Sequence, residues 1–305
     1  MQIPKPPLPY LLHLPPAGGS AELTPFVFAS PHSGRYYPPD FTARVQLSEP
    51  ELRQSEDAYV DTLFEQAPDF GATLLTATYA RAYLDLNRNA HELDPAMFTP
   101  TLMDDSLIIS QKVKAGLGLI PNIVAEGMAI YKHLLPAREA AKRRDMVHRP
   151  YHDKLANLLA ERRACFGAAF LIDCHSMPSE GYARHGRKAR TKGTDIVLGD
   201  SWGSTCDRAL TSMAEEYFMS AGFRVRRNLP YSGGYSTVEY GKPGHGLHAL
   251  QIEIARGIYM DEASLAVLPE FAEIQKALAT VCKKIIEATT LRQQEAYDRQ
   301  PKAAE

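Results

Sequence analysis

Two histidines stand directly after apolar segments, at positions that suit chemistry. His175 ends the segment 168–175, and His32 follows the segment 26–30 in a turn that contains proline and glycine. Both segments are typical of buried strands, and ligands of open α/β sheets bind at the carboxyl ends of strands. An imidazole there can bind a metal ion or move a proton. Each histidine taken alone is equally compatible with a structural, hydrogen-bonded role.

The two residues before His175 limit the roles that it can have in a reaction. Asp173 shares a strand face with His175, whereas Cys174 points to the opposite face. This arrangement argues against Cys174 as a nucleophile beside His175. Asp173 either orients the imidazole or simply ends the strand.

A third apolar segment, 250–255, carries Glu253 between Ile252 and Ile254. The two isoleucines face the other side of the sheet. A carboxylate inside such a strand is costly to bury unless it is paired or functional. Beside a metal ion it can take a proton from water and pass it to a leaving group. The alternative is a structural salt bridge to an arginine.

A catalytic zinc ion usually has three protein ligands and one open position. His32 and His175 are two candidate ligands. Many zinc peptidases add the glutamate of a His-x-x-Glu turn, but Arg35 occupies that position here. The nearest acidic residues are Glu56 and Asp57, on a predicted helix. We favour Asp57 and keep Glu56 as the alternative, although both are also compatible with solvated surface charges.

Arginines and glycines supply candidate substrate contacts. Arg81 and Arg88, with Asn87, suit a substrate that carries one or two carboxylates, because guanidinium groups bind carboxylates bidentately. Taken alone, the two arginines are better explained as neutralising Asp85 and nearby acids. Gly233 and Gly234 lack the spacing of a phosphate-binding loop, and they favour a tight turn with close backbone approach to a ligand.

The composition excludes several classes of protein. The chain has 305 residues with 45% hydrophobic and 23% charged residues, which is ordinary for a globular domain. A net charge of −2 gives no reason to expect nucleic acid or an anionic membrane as partner. We find neither an apolar stretch of the ~18 residues that span a bilayer nor a signal peptide. The four scattered cysteines favour reduced thiols and a cytoplasmic location. The sequence carries no signal of oligomeric state.

Strand-like and helix-like segments alternate along the chain, which predicts one α/β domain with a mainly parallel sheet. Ser48, Pro50 and Glu51 predict a helix start with a capping box. Predicted strands cover 26–30, 72–79, 82–86, 168–175, 194–198 and 250–255. Predicted helices cover about 48–64, 122–163, 204–221 and 261–291. Loops are predicted at 179–193 and 230–248. Residues 1–20 are expected to be extended, 21–291 to form the catalytic domain, and 292–305 to be a fraying polar tail.

Six short segments, in this order, resemble the N-formylglutamate amidohydrolase family. They are Ser-Pro-His-Ser-Gly at 30–34, Asp-Ala-Tyr-Val-Asp at 57–61, Asp-Leu-Asn-Arg at 85–88, Asp-Cys-His-Ser at 173–176, Tyr-Ser-Gly-Gly at 231–234 and Gln-Ile-Glu at 251–253. The resemblance extends over about residues 25–265. That family is related to the zinc carboxypeptidases and to the succinylglutamate desuccinylase and aspartoacylase group.

The resemblance implies a phosphorylase/hydrolase-like, zinc exopeptidase-like α/β fold. It implies one zinc ion per chain held by His32, His175 and an acidic residue, for which Asp57 matches better than Glu56. It also implies Glu253 as general base and acid. Asn87 and Arg88 correspond to a pair that grips a substrate carboxylate, and Arg81 falls on a family arginine.

The expected reaction is hydrolysis of an N-acyl amino acid, most simply N-formyl-L-glutamate, to formate and glutamate at the end of histidine breakdown. Arg35 or Arg81 is expected to assist the zinc ion in stabilising the oxyanion. Two other readings stay open. One is a deacylase for another N-acyl amino acid or a small peptide. The other is a metal- or amino-acid-binding protein without catalysis.

Overall fold

A computed structural model describes residues 6–16, 22–179 and 193–298. Its centre is a seven-stranded sheet in the order β1-β3-β2-β6-β9-β7-β8. The strands are β1 (Tyr10–His13), β2 (Phe26–Ser30), β3 (Thr73–Ala77), β6 (Ala169–Met177), β7 (Ile196–Gly199), β8 (Val225–Arg227) and β9 (Leu247–Ala255). Strands β4 (Phe98–Thr99) and β5 (Leu135–Pro136) form a separate pair.

The four central strands β3, β2, β6 and β9 are parallel, whereas β1 and β7 run antiparallel to their inner neighbours. The carboxyl ends of the four central strands therefore meet at one edge of the sheet. The helices are α1 (Pro39–Thr42), α2 (Glu49–Arg53), α3 (Val60–Leu63), α4 (Gln111–Lys114), α5 (Arg138–Arg143), α6 (Arg149–Phe166), α7 (Arg208–Ser220), α8 (Tyr235–Tyr240) and α9 (Phe271–Asp298). A π-helical turn, Arg144–His148, joins α5 to α6.

Each face of the sheet is covered by a hydrophobic layer, as the alternation along the strands requires. Phe26 and Phe28 of β2 pack with residues of α3, α7 and α9 on one face. Val27 and Ala29 pack with residues of α6 on the other face. The mixed, mainly parallel sheet flanked by helices confirms the predicted architecture. Within the described residues, no helix is both long and apolar enough to cross a membrane.

The strands at 26–30, 168–175, 194–198 and 250–255 are confirmed to within a few residues. The predicted strand 82–86 is wrong. Residues Ala82, Tyr83, Leu84 and Leu86 are buried, but the backbone turns there, and the N–H groups of Tyr83 and Leu84 both bond to Ala80 O. Their apolar pattern reflects burial and not extended backbone.

The helix predicted for 48–64 begins as expected, because Ser48 N donates to the Glu51 carboxylate at 2.7 Å in a capping box. It does not continue to residue 64. Helix α2 ends at Arg53, and the chain turns through Tyr59, whose φ of 65° interrupts helical geometry before α3. Glu56 and Asp57 therefore lie in a connection and not on a helix.

Other predicted boundaries shift. The helix predicted for 122–163 starts only at Arg138 and contains the π-helical turn, while α7 is slightly shorter than predicted. The helix predicted for 261–291 begins at Phe271, two residues after Pro269, because the residue before a proline avoids helical geometry. The helix continues to residue 298, so the first residues of the tail predicted for 292–305 are helical.

The predicted loop 230–248 contains a short helix, α8. Within the segment 1–20, predicted to be extended, residues 10–13 form the edge strand β1, which pairs with β3. The loop predicted for 179–193 falls, except at its two ends, outside the described residues.

Candidate active site

The carboxyl ends of β2 and β6 bring the two predicted histidines together. Their ring centroids are 4.8 Å apart, and both side chains are buried. On β6, Leu171 packs in the hydrophobic layer, and Asp173 and His175 follow on the same face. Cys174 packs in the opposite layer, as predicted. A hydrophobic face therefore gives way to polar groups where the strands end.

The two imidazoles converge on one carboxylate. Asp57 Oδ2 lies 3.2 Å from His32 Nδ1 and 2.9 Å from His175 Nδ1. Asp57 N donates to His32 O at 3.0 Å, which fixes the connection after α2 against the end of β2. Burial raises the pKa of Asp57, but hydrogen bonds from His175 and His32 more than offset it and hold that pKa well below normal.

Both histidines have carboxylates at their second ring nitrogen. His32 Nε2 lies 2.7 Å from Asp85 Oδ1, and His175 Nε2 lies 3.1 Å from Asp173 Oδ1. In His32 the carboxylate at Nε2 favours the tautomer with the proton on that nitrogen, which leaves the Nδ1 lone pair free and facing Asp57 Oδ2. In His175 the amide Nδ2 of Asn87 also lies 3.1 Å from Nε2. When His175 has its proton on Nε2, both Nδ1 lone pairs face Asp57 Oδ2. Three facing acceptors need a cation or protons between them.

This donor set fits a divalent metal ion. One ligand atom from each of His32, Asp57 and His175 can be chosen so that all lie within 4.8 Å of one another. The two Nδ1-to-Oδ2 distances approach the roughly 3.3 Å that separates two ligands of a tetrahedral zinc ion with bonds of about 2.0 Å. Two imidazoles and one carboxylate are the ligand types of catalytic zinc sites. Zinc, with a position left for water, is thus compatible with the residues present.

Glu56, the alternative ligand, points away from this cluster. Its carboxylate accepts hydrogen bonds from Tyr37 Oη at 2.6 Å and Arg53 Nε at 3.1 Å. Burial raises the pKa of Glu56 and also that of Tyr37, whose hydroxyl is held against the carboxylate. Among the two acidic neighbours, Asp57 alone faces both histidines.

Arg256 contacts the other oxygen of Asp57, and it was not among the residues predicted from the sequence. Its Nη2 donates to Asp57 Oδ1 at 3.0 Å and to Glu56 O at 2.7 Å. Ser176 Oγ also donates to Asp57 Oδ1, at 3.2 Å. The two oxygens of Asp57 thus have separate partners, with hydrogen-bond donors on Oδ1 and the histidines on Oδ2.

Glu253 lies beside His175, because the two residues are partners in the β6–β9 register. The flanking Ile252 and Ile254 pack in the opposite hydrophobic layer, as predicted. Gln251 Nε2 donates to Glu253 Oε1 at 2.8 Å. Burial raises the pKa of Glu253 to about 8, against a lowering influence of His175. A carboxyl group whose pKa lies near neutrality suits proton transfer in both directions.

The three predicted arginines occupy different settings. Arg81 Nε donates to Asp85 Oδ2 at 3.2 Å, and its side chain is 24% exposed. Although burial lowers the pKa of Arg81, the carboxylates of Asp85, Asp57 and Glu253 raise it, so its guanidinium lies in the field of the site. Arg81 is thus both close to the carboxylates of the site and partly accessible to solvent.

Arg88 is almost fully buried, and it donates to Leu117 O at 2.8 Å and Asn87 O at 2.7 Å. Its Nη2 also lies 3.6 Å from the Asp85 carboxylate. Arg35 is 43% exposed and bonds to Asp61 at 3.0 Å, with Tyr59 beneath its guanidinium. Arg35 thus contacts the partly exposed Asp61, and Arg88 contacts backbone carbonyls, among them that of Asn87.

Asn87 connects the histidine cluster to the glycine-rich segment. Its Nδ2 lies 3.1 Å from His175 Nε2, and its Oδ1 accepts from Ser236 N at 2.8 Å. Gly234 packs so closely that an added Cβ would stand 2.1 Å from Asn87 Nδ2, and Gly234 N donates to Gln251 Oε1 at 2.7 Å. Gly233 has φ +133°, which glycine accepts readily. Gly234 therefore approaches Asn87 closely, whereas an added Cβ at Gly233 would meet Ser201 and Thr237.

Two further histidines hold the backbone on either side of Asn87. His152 Nε2 donates to Leu86 O at 2.8 Å, and His148 Nε2 donates to Arg88 O at 2.9 Å. Burial lowers the pKa of His148, and it lowers that of His152 to about 3. Both rings therefore stay neutral at physiological pH. His148 is the last residue of the π-helical turn, and His152 lies in α6 directly after it; such turns are frequent at functional sites.

Comparison with known proteins gives consistent matches. A model of the N-formylglutamate amidohydrolase family matches residues 24–260. The N-formylglutamate deformylase of Pseudomonas aeruginosa is 31% identical over 277 residues, which cover 90% of this chain and 95% of the relative. That of Pseudomonas putida is 29% identical over 278 residues, 90% of this chain and 96% of the relative.

A solved structure agrees with these relatives. The crystal structure of N-formylglutamate amidohydrolase from Ralstonia eutropha JMP134 superposes with a TM-score of 0.84 at 35% identity. The match covers 92% of this chain and 98% of that chain.

Proposed function

The chain belongs to the N-formylglutamate amidohydrolase family, and we propose that it is a zinc-dependent enzyme that hydrolyses N-formyl-L-glutamate to formate and L-glutamate. The single observation that carries the proposal is the convergence of His32, Asp57 and His175 next to Glu253. It joins a buried three-ligand cluster to a carboxyl group suited to proton transfer. The relatives named as N-formylglutamate deformylases support the choice of substrate.

In this proposal His32 and His175 would hold one zinc ion through Nδ1, and Asp57 would hold it through Oδ2. When bound, zinc lowers the pKa of a water molecule toward ~7 and polarises a carbonyl group. Asp85 keeps the His32 imidazole in the tautomer that presents Nδ1, and the Asp173 carboxylate lies 3.1 Å from Nε2 of His175.

Glu253 acts first as general base and then as general acid. It accepts a proton from the attacking water as the water oxygen forms its bond to the formyl carbon. When the carbon–nitrogen bond breaks, Glu253 gives a proton to the nitrogen of the departing glutamate. Proton transfer by a positioned side chain contributes typically 10²–10⁴-fold to the rate.

Arg81, Asn87 and Arg88 are proposed to recognise the carboxylates of the substrate, with Gly233 and Gly234 lining its binding position. The carboxylates of Asp57, Asp85 and Asp173 equal the guanidinium groups of Arg81, Arg88 and Arg256 in number, and Glu253, with a pKa of about 8, is largely protonated at neutral pH. A divalent cation makes this pocket net positive, which favours a substrate with two carboxylates. Arg81 is the most accessible of the proposed carboxylate-binding residues at the centre of the pocket.

The proposal extends to the setting of the reaction. The four cysteines are free thiols, which supports a reducing compartment such as the cytoplasm. Glutamate as product suits the end of histidine breakdown. The predicted catalytic domain, residues 21–291, contains every residue of the proposed site.

An assay of the free amino acid released from a panel of N-acyl substrates tests this function. Purified, zinc-loaded protein should release formate from N-formyl-L-glutamate faster than from N-formyl-L-glutamine, and it should act weakly on N-acetyl- and N-succinyl-L-glutamate. Preference for an acetyl or succinyl group would instead identify a deacylase of another N-acyl amino acid. No turnover of any compound, with zinc bound, would identify a binding protein.

Metal analysis tests the site independently. The purified protein should contain about one zinc ion per chain, and His32→Ala and His175→Ala should each lose it. His245→Ala, at an exposed position in the turn before β9, is the control and should retain it. Full zinc content in both site variants would show that the metal site is wrong.

A further inference from the structure

Arg256 occupies the point where three segments of the site meet. It follows β9 directly and begins a short 3₁₀ turn, three residues after Glu253. Its guanidinium contacts the end of β6 through Ser176, at 3.0 Å from Nε. It contacts the connection after α2 through Gln54 O, at 3.2 Å from Nη1. Arg256 therefore connects the strand that carries Glu253 to two of the three segments that carry candidate metal ligands.

The contact with Asp57 has a specific geometry. Of the two Asp57 carboxylate oxygens, Arg256 Nη2 contacts only Oδ1, at 3.0 Å, while Oδ2 faces the two Nδ1 atoms. Ser176 Oγ shares Oδ1 with Arg256 and also accepts from Arg256 Nε. A guanidinium group fixed in this way resists rotation of the carboxylate, because its planar fork is preorganised.

A direct role in substrate binding accounts less well for these contacts. Every nitrogen of the Arg256 guanidinium already donates to a protein acceptor. The side chain is 11% exposed, whereas that of Arg81 is 24% exposed. Most of the N–H groups of Arg256 thus donate hydrogen bonds to protein acceptors. Together these bonds hold the guanidinium group against the Asp57 carboxylate.

We infer that Arg256 is a positioning residue that holds Asp57 with Oδ2 alone directed at the two histidines, and that it thereby sets the affinity of the site for a divalent metal ion. The inference rests on the metal site of the proposed function. Arg256 also supplies a positive charge to a carboxylate that is buried beside other acids, which offsets the cost of keeping it ionised before metal binds. Partners of this kind typically change metal affinity or activity 10–100-fold when they are removed.

Metal titration of the apoprotein tests the inference without relying on catalysis. Zn²⁺ is titrated into wild type, Arg256→Gln and Arg256→Lys in competition with a coloured chelator. Arg256→Gln should weaken zinc binding about 10–100-fold, and Arg256→Lys should fall between it and wild type. Arg224→Gln is the matched control, because Arg224 forms a close pair with Asp195 but is 64% exposed and distant in the sheet order from the histidines. It should bind zinc like wild type.

A second variant keeps the test decisive if Arg256→Gln folds poorly. Ser176→Ala removes the other donor to Asp57 Oδ1 with little change in volume, and it should weaken zinc binding in the same direction but less. Visible absorption of bound Co²⁺ should also change in Arg256→Lys and not in Arg224→Gln, because it reports ligand geometry.

The outcomes separate this inference from the proposed function. Equal zinc affinity and equal Co²⁺ spectra in wild type, Arg256→Lys and Ser176→Ala would overturn the role of Arg256 while leaving the zinc enzyme intact. A raised KM with unchanged zinc affinity would also overturn it, in favour of substrate binding. Wild type that binds no metal would overturn the proposed function and this inference together.

Discussion

His175 and Glu253 are register partners on neighbouring parallel strands, so a candidate metal ligand and a candidate general base lie side by side. Because successive residues of a strand alternate between faces, the pairing places both side chains on the same face of the sheet. The polar partners Asp173 and Gln251, which are also paired in register, precede them on that face. The rigid sheet thus positions the candidate ligand His175 and the candidate general base Glu253 next to each other, with no flexible loop involved.

Glu253→Gln tests the role of the carboxyl group. The amide keeps the size of the side chain but cannot accept and return the proton, so kcat should fall by ~10²-fold or more. Zinc content should not change, because Glu253 is not a ligand in the proposal. Glu239→Gln, at a carboxylate that is 48% exposed on α8, is the control for a loss of negative charge. Normal turnover by Glu253→Gln would remove the general-base assignment.

Asp57→Asn and Glu56→Gln together identify the acidic ligand. Asp57→Asn removes the charge that faces both histidines, and we expect zinc content to fall far below one ion per chain. Glu56→Gln changes a carboxylate bonded to Tyr37 and Arg53, so zinc should remain. Metal analysis of both proteins after dialysis gives the answer. The opposite pattern would make Glu56 the ligand.

The sequence was sufficient to predict the central strands of the sheet and the meeting of His32, Asp57 and His175, because ligands of open α/β sheets bind at the carboxyl ends of strands. Alternation around Cys174 and Ile252 predicted which side chains face the hydrophobic layer, and the structure agrees. The prediction of a strand at 82–86 was wrong, because a buried turn and a buried strand can have the same pattern of apolar residues. The interruption of the predicted helix 48–64 at Tyr59 could not be predicted either, because a tyrosine in the sequence does not indicate a positive φ.

Contacts between distant segments account for what sequence reasoning did not find. Arg256 and Asp57 are 199 residues apart, and His152 lies 66 residues from the carbonyl of Leu86 that it bonds. A lone arginine after a strand and a histidine within a helix are common in any protein. Only the tertiary arrangement distinguishes Arg256 and His152 from surface or core residues.

His152→Leu and His152→Gln test whether the hydrogen bond from His152 to Leu86 O holds the neighbouring Asn87 in place. Leucine removes the donor to Leu86 O and should raise KM for N-formyl-L-glutamate about 10-fold, because a shift of Asn87 misplaces the substrate. Glutamine can offer an N–H at similar reach and should restore most of the affinity. Thermal unfolding of both variants controls for a general loss of stability. Identical KM values for the leucine and glutamine variants would show that the hydrogen bond does not support the site.

Gly234→Ala tests whether the glycine-rich segment positions the site. An alanine Cβ would stand 2.1 Å from Asn87 Nδ2, so either Asn87 or the backbone of 233–235 must move. Because displacements of about 1 Å at an active site cost up to ~10²-fold, we expect a fall of 10–100-fold in kcat/KM, with zinc still bound. Gly244→Ala is the matched control, since its Cβ would meet no atom within 4 Å. Equal kcat/KM in the two variants would show that the close approach of Gly234 to Asn87 has no part in catalysis.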